Sequence, residues 1–437
     1  MKYRFALLTF LLIAAPRAVW AEAWTFERAV NHALTNSPDA RIAEQRIRVA
    51  RAGVDQANAA LWPTLQLQSS YTRTDNPMMV FGSILNQRAF GQPPLGPIDF
   101  NDVPDMDNLN VRGTASVPLY AGGRIKTGRA GARANAEAAR AEAEAVRQTL
   151  AFEVARTFLG VLKTREFIRA TEAAVEGFES SLAIARKRHQ AGTLLKTDLL
   201  DVEVRLAQAR EDAVRARNAQ ALALRALKNL LGLEDPDFAI AETAPDLIPP
   251  PESAVPRRPE LEAIQHRERA AENAVRGAKS GWLPTVSAFG SLDYDYGTRT
   301  ESDGGSYTAG ALLQWNVFDG RLTRARVAEA QAQRDTVTEQ ERKLRLAVEF
   351  EIEQARLNLA EANERLAVTA KAVEQATESV TLTRARFEQG LALATQVIDS
   401  ETALTVARVR RAEAEADQRI AVAALRRALG LPQLEQP

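Results

Sequence analysis

Four stretches of the chain alternate apolar and polar residues with a period of two. In 65–72, Leu65, Leu67 and Tyr71 oppose Gln66, Gln68 and Ser70. In 110–119, Val111, Ala115, Val117 and Leu119 oppose Asn110, Arg112, Thr114 and Ser116. In 286–296, Val286, Ala288, Leu292, Tyr294 and Tyr296 oppose Ser287, Ser291, Asp293 and Asp295. In 307–317, Tyr307, Ala309, Ala311, Leu313, Trp315 and Val317 share one face. Successive side chains of a strand point to opposite sides, so each stretch predicts a strand with one apolar face, at about 64–74, 109–119, 285–296 and 307–318. A glycine corner, Gly122-Gly123 or Gly320, follows the second strand of each pair. Proline-free helical patterns then run over 124–190 and 321–389. At 1.5 Å per residue, a helix of that length reaches about 100 Å. Gly192 and Gly390 stop these helices, and Thr197 and Thr395 are the expected N-caps of return helices at 197–231 and 395–429. Shorter helices at 38–60 and 260–281 end ahead of Pro63 and Pro284.

The elements occur in the same order twice, and so do the residues at the turns. RKRHQAGTLLKTDLLDVEVRLAQAR (186–210) aligns with RARFEQGLALATQVIDSETALTVAR (384–408) at an offset of 198. Arg186/Arg384, Arg188/Arg386, Gly192/Gly390, Asp201/Asp399 and Glu203/Glu401 are identical in the two copies. LWPTL (61–65) answers WLPTV (282–286) at an offset of 221, so the first copy carries an insertion between its strands. That insertion, 76–108, is rich in Pro, Gly, Asn and Asp and reads as a long loop on the side of the strands away from the long helices. Between the copies, 233–259 is too dense in proline for helix or central strand and reads as a linker. The expected organisation is a leader at 1–21, a first repeat at 22–232, the linker, and a second repeat at 260–437.

Four strands with an apolar face leave two edges whose amides would meet lipid at several kcal/mol each. Closure needs other copies of the chain. Two copies give eight strands, a barrel filled by its own side chains, and three give twelve, wide enough for a lumen. The helices are alanine-rich, with Glu and Arg spread along them, and their apolar stripe suits a coiled-coil-like wall better than a globular core.

Composition narrows the setting. Lys2 and Arg4 precede a short apolar run, Phe5 to Ala15, and Val19-Trp20-Ala21 offers a cleavage site after Ala21, the pattern of a secretory leader. The apolar run is too short to span a bilayer as a helix. With no cysteine there is no disulfide, thiolate metal site or lipidated N-terminal cysteine. A net charge of zero gives no reason to expect nucleic acid.

These features resemble the TolC-like outer-membrane efflux proteins over nearly the whole chain past the leader. The marks are the duplicated helix–strand–strand–helix unit, Trp62-Pro63 and Trp282-Leu283-Pro284 before the first strand of each copy, and the Gly-Arg corner after the second. A hairpin of the form R-x-x-x-G-x-x-x-x-x-D is matched by Arg188, Gly192 and Asp198. The second copy has Arg386 and Gly390 but Gln396 in place of the acid, and TFERAVNHALTNSPD (25–39) looks like the family's N-terminal segment. The resemblance implies a mixed α/β membrane protein: a homotrimeric channel-tunnel with a twelve-stranded barrel among outer-membrane lipid, continued by an α-helical barrel across the periplasm. It also implies docking of the tip on a periplasmic membrane-fusion adaptor and an inner-membrane pump.

His32, His189 and His266 are scattered, Met78, Met79 and Met106 suit a barrel rim, and no nucleotide loop, nucleophile motif or paired-carboxylate pattern stands out. The reading is therefore a passive duct with no enzyme activity and no cofactor or metal. Asp198, Asp201 and Asp399 sit where acids favour a helix start, but threefold assembly would also gather each into a ring near the pore axis. The resemblance favours Gln396 and Asp399 of the second copy as the constriction lining, and Arg188, Gly192, Arg386 and Gly390 as the adaptor contact. The alternative function is a periplasmic coiled-coil structural or adaptor protein that never enters a membrane; the aromatic ends of the amphipathic strands argue against it.

Overall fold

The structure is a computed structural model that describes residues 23–91, 99, 102–234 and 238–434; the expected leader, with its cleavage after Ala21, lies outside them. The chain divides into two compact units. One comprises Met1–Arg41, Val146–Arg257 and Phe350–Pro437, and the other Ile42–Ala145 and Arg258–Glu349. The long helices α4 (Arg124–Gln190) and α7 (Leu322–Glu388) have residues in both.

The second unit holds the sheet. Strands β1 (Thr64–Thr74), β2 (Met106–Ala121), β3 (Thr285–Gly297) and β4 (Ser302–Gln314) lie in the order β1-β2-β3-β4, each antiparallel to its neighbour. The register places Tyr71 opposite Leu109 and Leu109 opposite Tyr296, so one face carries Leu65, Leu67, Tyr71, Val111, Leu292, Tyr294 and Tyr307. Of these, Leu65, Leu67, Leu292 and Tyr307 are each at least 70% exposed, a face that water alone would not tolerate. The other face carries Asn110 opposite Asp295 and Arg112 opposite Asp293. Arg112 Nε donates to Asp293 Oδ1, and Asn110 Nδ2 donates to Asp295 Oδ1 at 3.0 Å. Trp62, Tyr120, Trp282, Trp315 and Phe318 lie exposed at or just past the strand ends that lead into helices. Among the described residues, no helix is long and apolar enough to cross a membrane.

Three expectations need correction. The fourth strand runs over Ser302–Gln314, not 307–318. Its partner β3 begins at Thr285 opposite Gln314, so Trp315 and Val317 continue the alternation with no strand to pair against. At the other end, Gly304-Gly305, which lie outside the expected strand, pair with Asp295 and Tyr294. In β2 a bulge between Pro118 and Tyr120 puts Tyr120, not Leu119, opposite Val286; a proline cannot donate to the ladder, and bulges are where strands admit it. The insertion is not wholly loop. Its apolar run forms α3 (Pro77–Asn86), capped by Asn76, whose Oδ1 accepts from Met78 N at 3.1 Å, and its last residues open β2. Val80 and Ile84 of α3 are fully buried with Ala89 and Met106.

In the same unit, α6 (Pro259–Lys279) runs into a 3-10 turn, Ser280–Trp282, ahead of β3. The glycine corner that launches α4 sits directly on this turn. Gly122 has φ +59°, and a Cβ there would lie 2.9 Å from the Ser280 carbonyl oxygen.

The first unit is helical. Helix α1 (Phe26–Asn36), which is followed by α2 (Pro38–Ala59), is capped by Thr25, whose hydroxyl accepts from Arg28 N at 3.2 Å. Phe26 and Val30 of α1 enter a core with Leu150, Val154 and Phe158 of α4 and Leu227 and Leu231 of α5 (Lys196–Leu231). The proline-rich connection is pinned rather than loose. Trp24 exchanges backbone bonds of 2.9 Å with Ala239 and Ala241, Ile240 is buried in the core, and Arg165 Nη2 donates to the Ile240 carbonyl at 2.9 Å. Exposed apolar residues remain on α5 (Val204, Val214, Leu222) and on α7 (Phe350, Leu357, Val368, Leu382).

The corner yields a stability prediction. A non-glycine residue in the left-handed region costs about 1–3 kcal/mol. Gly122→Ala adds a clash with the Ser280 carbonyl, whereas at Gly123 (φ +85°) a Cβ meets open space. Gly122→Ala is expected to lower the thermal unfolding midpoint more than Gly123→Ala; equal shifts would mean the corner is not seated on the 3-10 turn.

Candidate functional site: the paired hairpin tips

Each long helix ends in the same way. Gly192 (φ +74°) follows α4, with Thr193 N donating to Arg188 O at 2.9 Å and Gly192 N to His189 O at 2.9 Å. Gly390 (φ +79°) follows α7, with Leu391 N donating to Arg386 O at 2.8 Å and Gly390 N to Phe387 O at 3.0 Å. This is a Schellman closure, in which a glycine takes the left-handed position and the last carbonyls are satisfied by the next two amides.

The return helices begin one residue earlier than the sequence suggests. Helix α5 starts at Lys196 and α8 (Ala394–Ala428) at Ala394, with Leu195 and Leu393 at the cap positions. Thr197 and Thr395 are therefore second in their helices and do not cap them. At the third position of α8, Gln396 Oε1 accepts from Leu393 N at 3.1 Å, so this candidate pore residue is engaged with its own helix start. Asp198 is its counterpart in α5 and is half-buried. Asp201 and Asp399 lie in the second turn of each helix, both exposed. None of the three carboxylates has an ion-pair partner among the described residues.

The two tips pack on each other and share one apolar cluster. Phe178, Leu182 and Ala185 of α4, Val202 and Leu206 of α5, Phe387 of α7, and Val397 and Ile398 of α8 are all buried in it. Arg188 joins the copies. Its Nη1 donates to Phe387 O at 3.0 Å, its Nη2 to Thr193 O at 3.1 Å, and its guanidinium lies 4.9 Å from the centroid of the fully buried Phe387 ring. A stacked, bonded guanidinium of this kind is not replaceable by lysine. Arg386, its counterpart, is exposed and has no ion pair or side-chain hydrogen bond among the described residues. The reason is legible in the alignment: His189 stands where the second copy has Phe387. The candidate adaptor residues thus split, with Arg188 holding the tips together and Arg386 facing outward. An open cleft of about 540 Å³ separates the two turns, bordered by Arg188, Asp198, Gly390 and Gln396.

A second asymmetry lies behind the turns. Arg186 pairs with Glu203 at 3.0 Å on an exposed surface. The equivalent pair, Arg384 with Glu401, is sunk against the first copy, and the Glu401 side chain is only 4% exposed. Gly177 of α4 makes the room, since a Cβ there would lie 2.7 Å from Glu401 Oε2 and 3.3 Å from Arg384 Nη2. The equivalent residue in the second copy is Gln375. Sequence reasoning missed Gly177 and Phe387. The signals were a glycine deep in a long helix where the second copy has Gln375, and the one aromatic in the second turn phrase.

Unequal burial gives unequal consequences. Removing one partner of a buried pair leaves an uncompensated charge, and because Arg384 stays about one-third exposed, Glu401→Ala is expected to cost on the order of 2 kcal/mol rather than more. Glu203→Ala, at an exposed pair, is expected to cost under ~1 kcal/mol. Hydrogen exchange of the α7–α8 hairpin reads this: Glu401→Ala should speed it and Glu203→Ala should not. Equal effects would contradict the asymmetry.

No group of three or more potential metal-ligating side chains occurs among the described residues. The arrangement positions charge at helix ends around a turn.

The family described as outer membrane efflux protein matches residues 29–233 and 251–431, one match to each repeat. Outer membrane protein OprJ of Pseudomonas aeruginosa is 27% identical over 331 residues, covering 70% of this chain and 67% of OprJ. The pyoverdine export outer membrane protein OpmQ of Pseudomonas putida is 25% identical over 432 residues, covering 95% of this chain and 88% of OpmQ. A crystal structure of CusC, described in connection with transmembrane channel formation, superposes with a TM-score of 0.80 at 18% identity, covering 93% of this chain and 92% of that one. At that identity the likeness speaks for the fold.

Proposed function

The chain belongs to the outer membrane efflux protein family, and from that premise we propose that three copies close into one duct with its charged mouth at the hairpin tips. The chain is an outer-membrane exit duct of an efflux or secretion system. That sets aside the periplasmic coiled coil that never enters a membrane.

The observation that carries the proposed assembly is the sheet. It has an exposed apolar face, a polar face lined by Asn110, Arg112, Asp293 and Asp295, and two strands, β1 and β4, paired on one side only. In lipid such edges must be joined. Joining β4 of one copy to β1 of the next, three times over, gives a twelve-stranded wall with lipid outside and polar side chains within. The exposed apolar residues of α5 and α7 supply the matching contact between copies in the helical part. Transport energy comes from an inner-membrane pump, reached through a periplasmic adaptor. Arg386, exposed beside Gly390, is the residue we assign to adaptor contact, because Arg188 is already engaged.

At the mouth, Asp399 is the acid we assign to the pore. It is exposed and unpaired in the copy whose other candidate, Gln396, carries no charge. Three Asp399 carboxylates around one axis would favour cations, because a constriction focuses the field of its lining charges. Reversal potentials of single channels in a planar bilayer under a salt gradient test this. Asp399→Ala is expected to lower cation selectivity and Asp198→Ala to lower it less. The reverse order would assign the lining to the first copy.

A further inference from the structure

The two open edges of the sheet set how far one copy is displaced against the next. Within the chain, a row can be followed across the strands from β1 to β4. Tyr71 stands beside Leu109, Leu109 beside Tyr296, and Tyr296 beside Asp303. Nearer the helices, Leu65 shares a row with Ala115, Gly290 and Ala309. These rows run clear of the bulge between Pro118 and Tyr120. Followed round a closed barrel, a row returns to its starting strand displaced along it, and that displacement is linked to the tilt of the strands.

Face and tilt limit the displacement per copy. Leu65 and Ala309, at the two ends of one row, both lie on the apolar face, so only an even number of residues keeps that face continuous across the seam. With ~3.3 Å per residue and ~4.8 Å between strands, displacements of two, four and six residues over four strands tilt them by about 19°, 35° and 46°. Barrel strands tilt by about 35–45°, which sets a displacement of two aside. That displacement would put Arg73 opposite Asp303, but Arg73 Nε already donates to Asp105 Oδ2 at 2.5 Å. Backbone pairing decides between four and six. Advanced by four, Ala309 meets Ser69 of the next copy, Thr64 meets Gln314 and Thr74 meets Gly304, so all 11 residues of β1 stand opposite β4. Advanced by six, Thr64 and Leu65 face Asn316 and Trp315, beyond the end of β4. A displacement of four in the opposite sense leaves Ser69 to Thr74 without partners. Unpaired amides are what a strand in lipid least tolerates.

We propose that β4 of one copy joins β1 of the next in this register, with Tyr71 opposite Tyr307 and Leu65 opposite Leu313 on the lipid side, and Gln68 opposite Gly310 on the lumen side. This rests on the three-copy closure proposed above and adds the register, which sets the tilt of the strands and with it the bore. The side chains brought together agree with it. Tyr71, Tyr307, Leu65 and Leu313 are all exposed in the single chain, and aromatic or apolar residues directly opposite each other stabilise a sheet. The partner is a second copy of this chain, because its β1 has the length and the alternation of faces that the open edge of β4 needs.

The chain has no cysteine, so paired cysteines are clean reporters. Ser69→Cys is combined in turn with Tyr307→Cys, Ala309→Cys or Ala311→Cys, which report displacements of two, four and six. All these positions share the apolar face, so they differ in register alone. On oxidation of the purified protein, the combination at 309 is expected to link chains several-fold more completely than either of the others. Polarised infrared spectra of the unsubstituted protein in oriented membranes give a second reading, an expected strand tilt of about 35°. Preferred linking at 307 or 311, equal linking at all three, or a tilt of about 19° or 46° would overturn the register and leave the closure standing. Native mass spectrometry reads the trimer separately, and its absence would overturn closure and register together.

Discussion

Two unsatisfied backbone edges govern this protein. The four-stranded sheet offers lipid an apolar face, yet β1 and β4 each keep one side unpaired. An unmade backbone hydrogen bond in hydrocarbon costs several kcal/mol, far more than any single side-chain contact described above could return. The chain cannot settle that cost alone, because its strands are too few to close on themselves around a lumen. Assembly is thus a condition of the membrane fold rather than an addition to it. Pore, wall and tip follow from the number of copies that satisfies the edges.

Duplication supplies a wall economically, and its departures from symmetry carry the particular chemistry. At the tips the same turn is written twice, but only the second copy has an aromatic, Phe387, for the first copy's Arg188 to cover. Only the first has a glycine, Gly177, into which the second copy's Glu401–Arg384 pair can sink. The tips are therefore locked within one chain by contacts between the copies that have no equivalent when the copies are exchanged. Arg386 and the pair Arg186–Glu203 remain on the surface, available to whatever lies beyond the protomer. The strand end is also asymmetric, since only the first copy inserts α3 between its strands.

Much of this was legible in the sequence, for physical reasons that can be named. Strands betray themselves by period two, and β1 and β3 fall within a residue of their expected bounds. The fourth strand does not, because Gly304-Gly305 resembles a turn until β3 is present to pair with it. Helix α3 was hidden because Pro, Gly and Asn surround its apolar run, and its reason to fold is the sheet face beneath Val80 and Ile84. The turns were visible through Gly192 and Gly390, but the caps were not, since Gln396 acts from inside the helix where a threonine before it looked sufficient. Which acid lines a pore is a property of three chains, and no single sequence position carries it.

The claim on which everything rests is that β4 of one copy pairs with β1 of the next. Disulfide trapping tests it most directly, again helped by the absence of native cysteine. Gln68→Cys in β1 would be combined in turn with Thr308→Cys, Gly310→Cys or Leu312→Cys, positions of β4 that share its polar face. If the edges join, one combination should give a covalent trimer on a non-reducing gel, since each protomer then carries both halves of the bond. If no combination links chains while a β2–β3 cysteine pair forms readily within one chain, the edges do not meet and the barrel is not built this way.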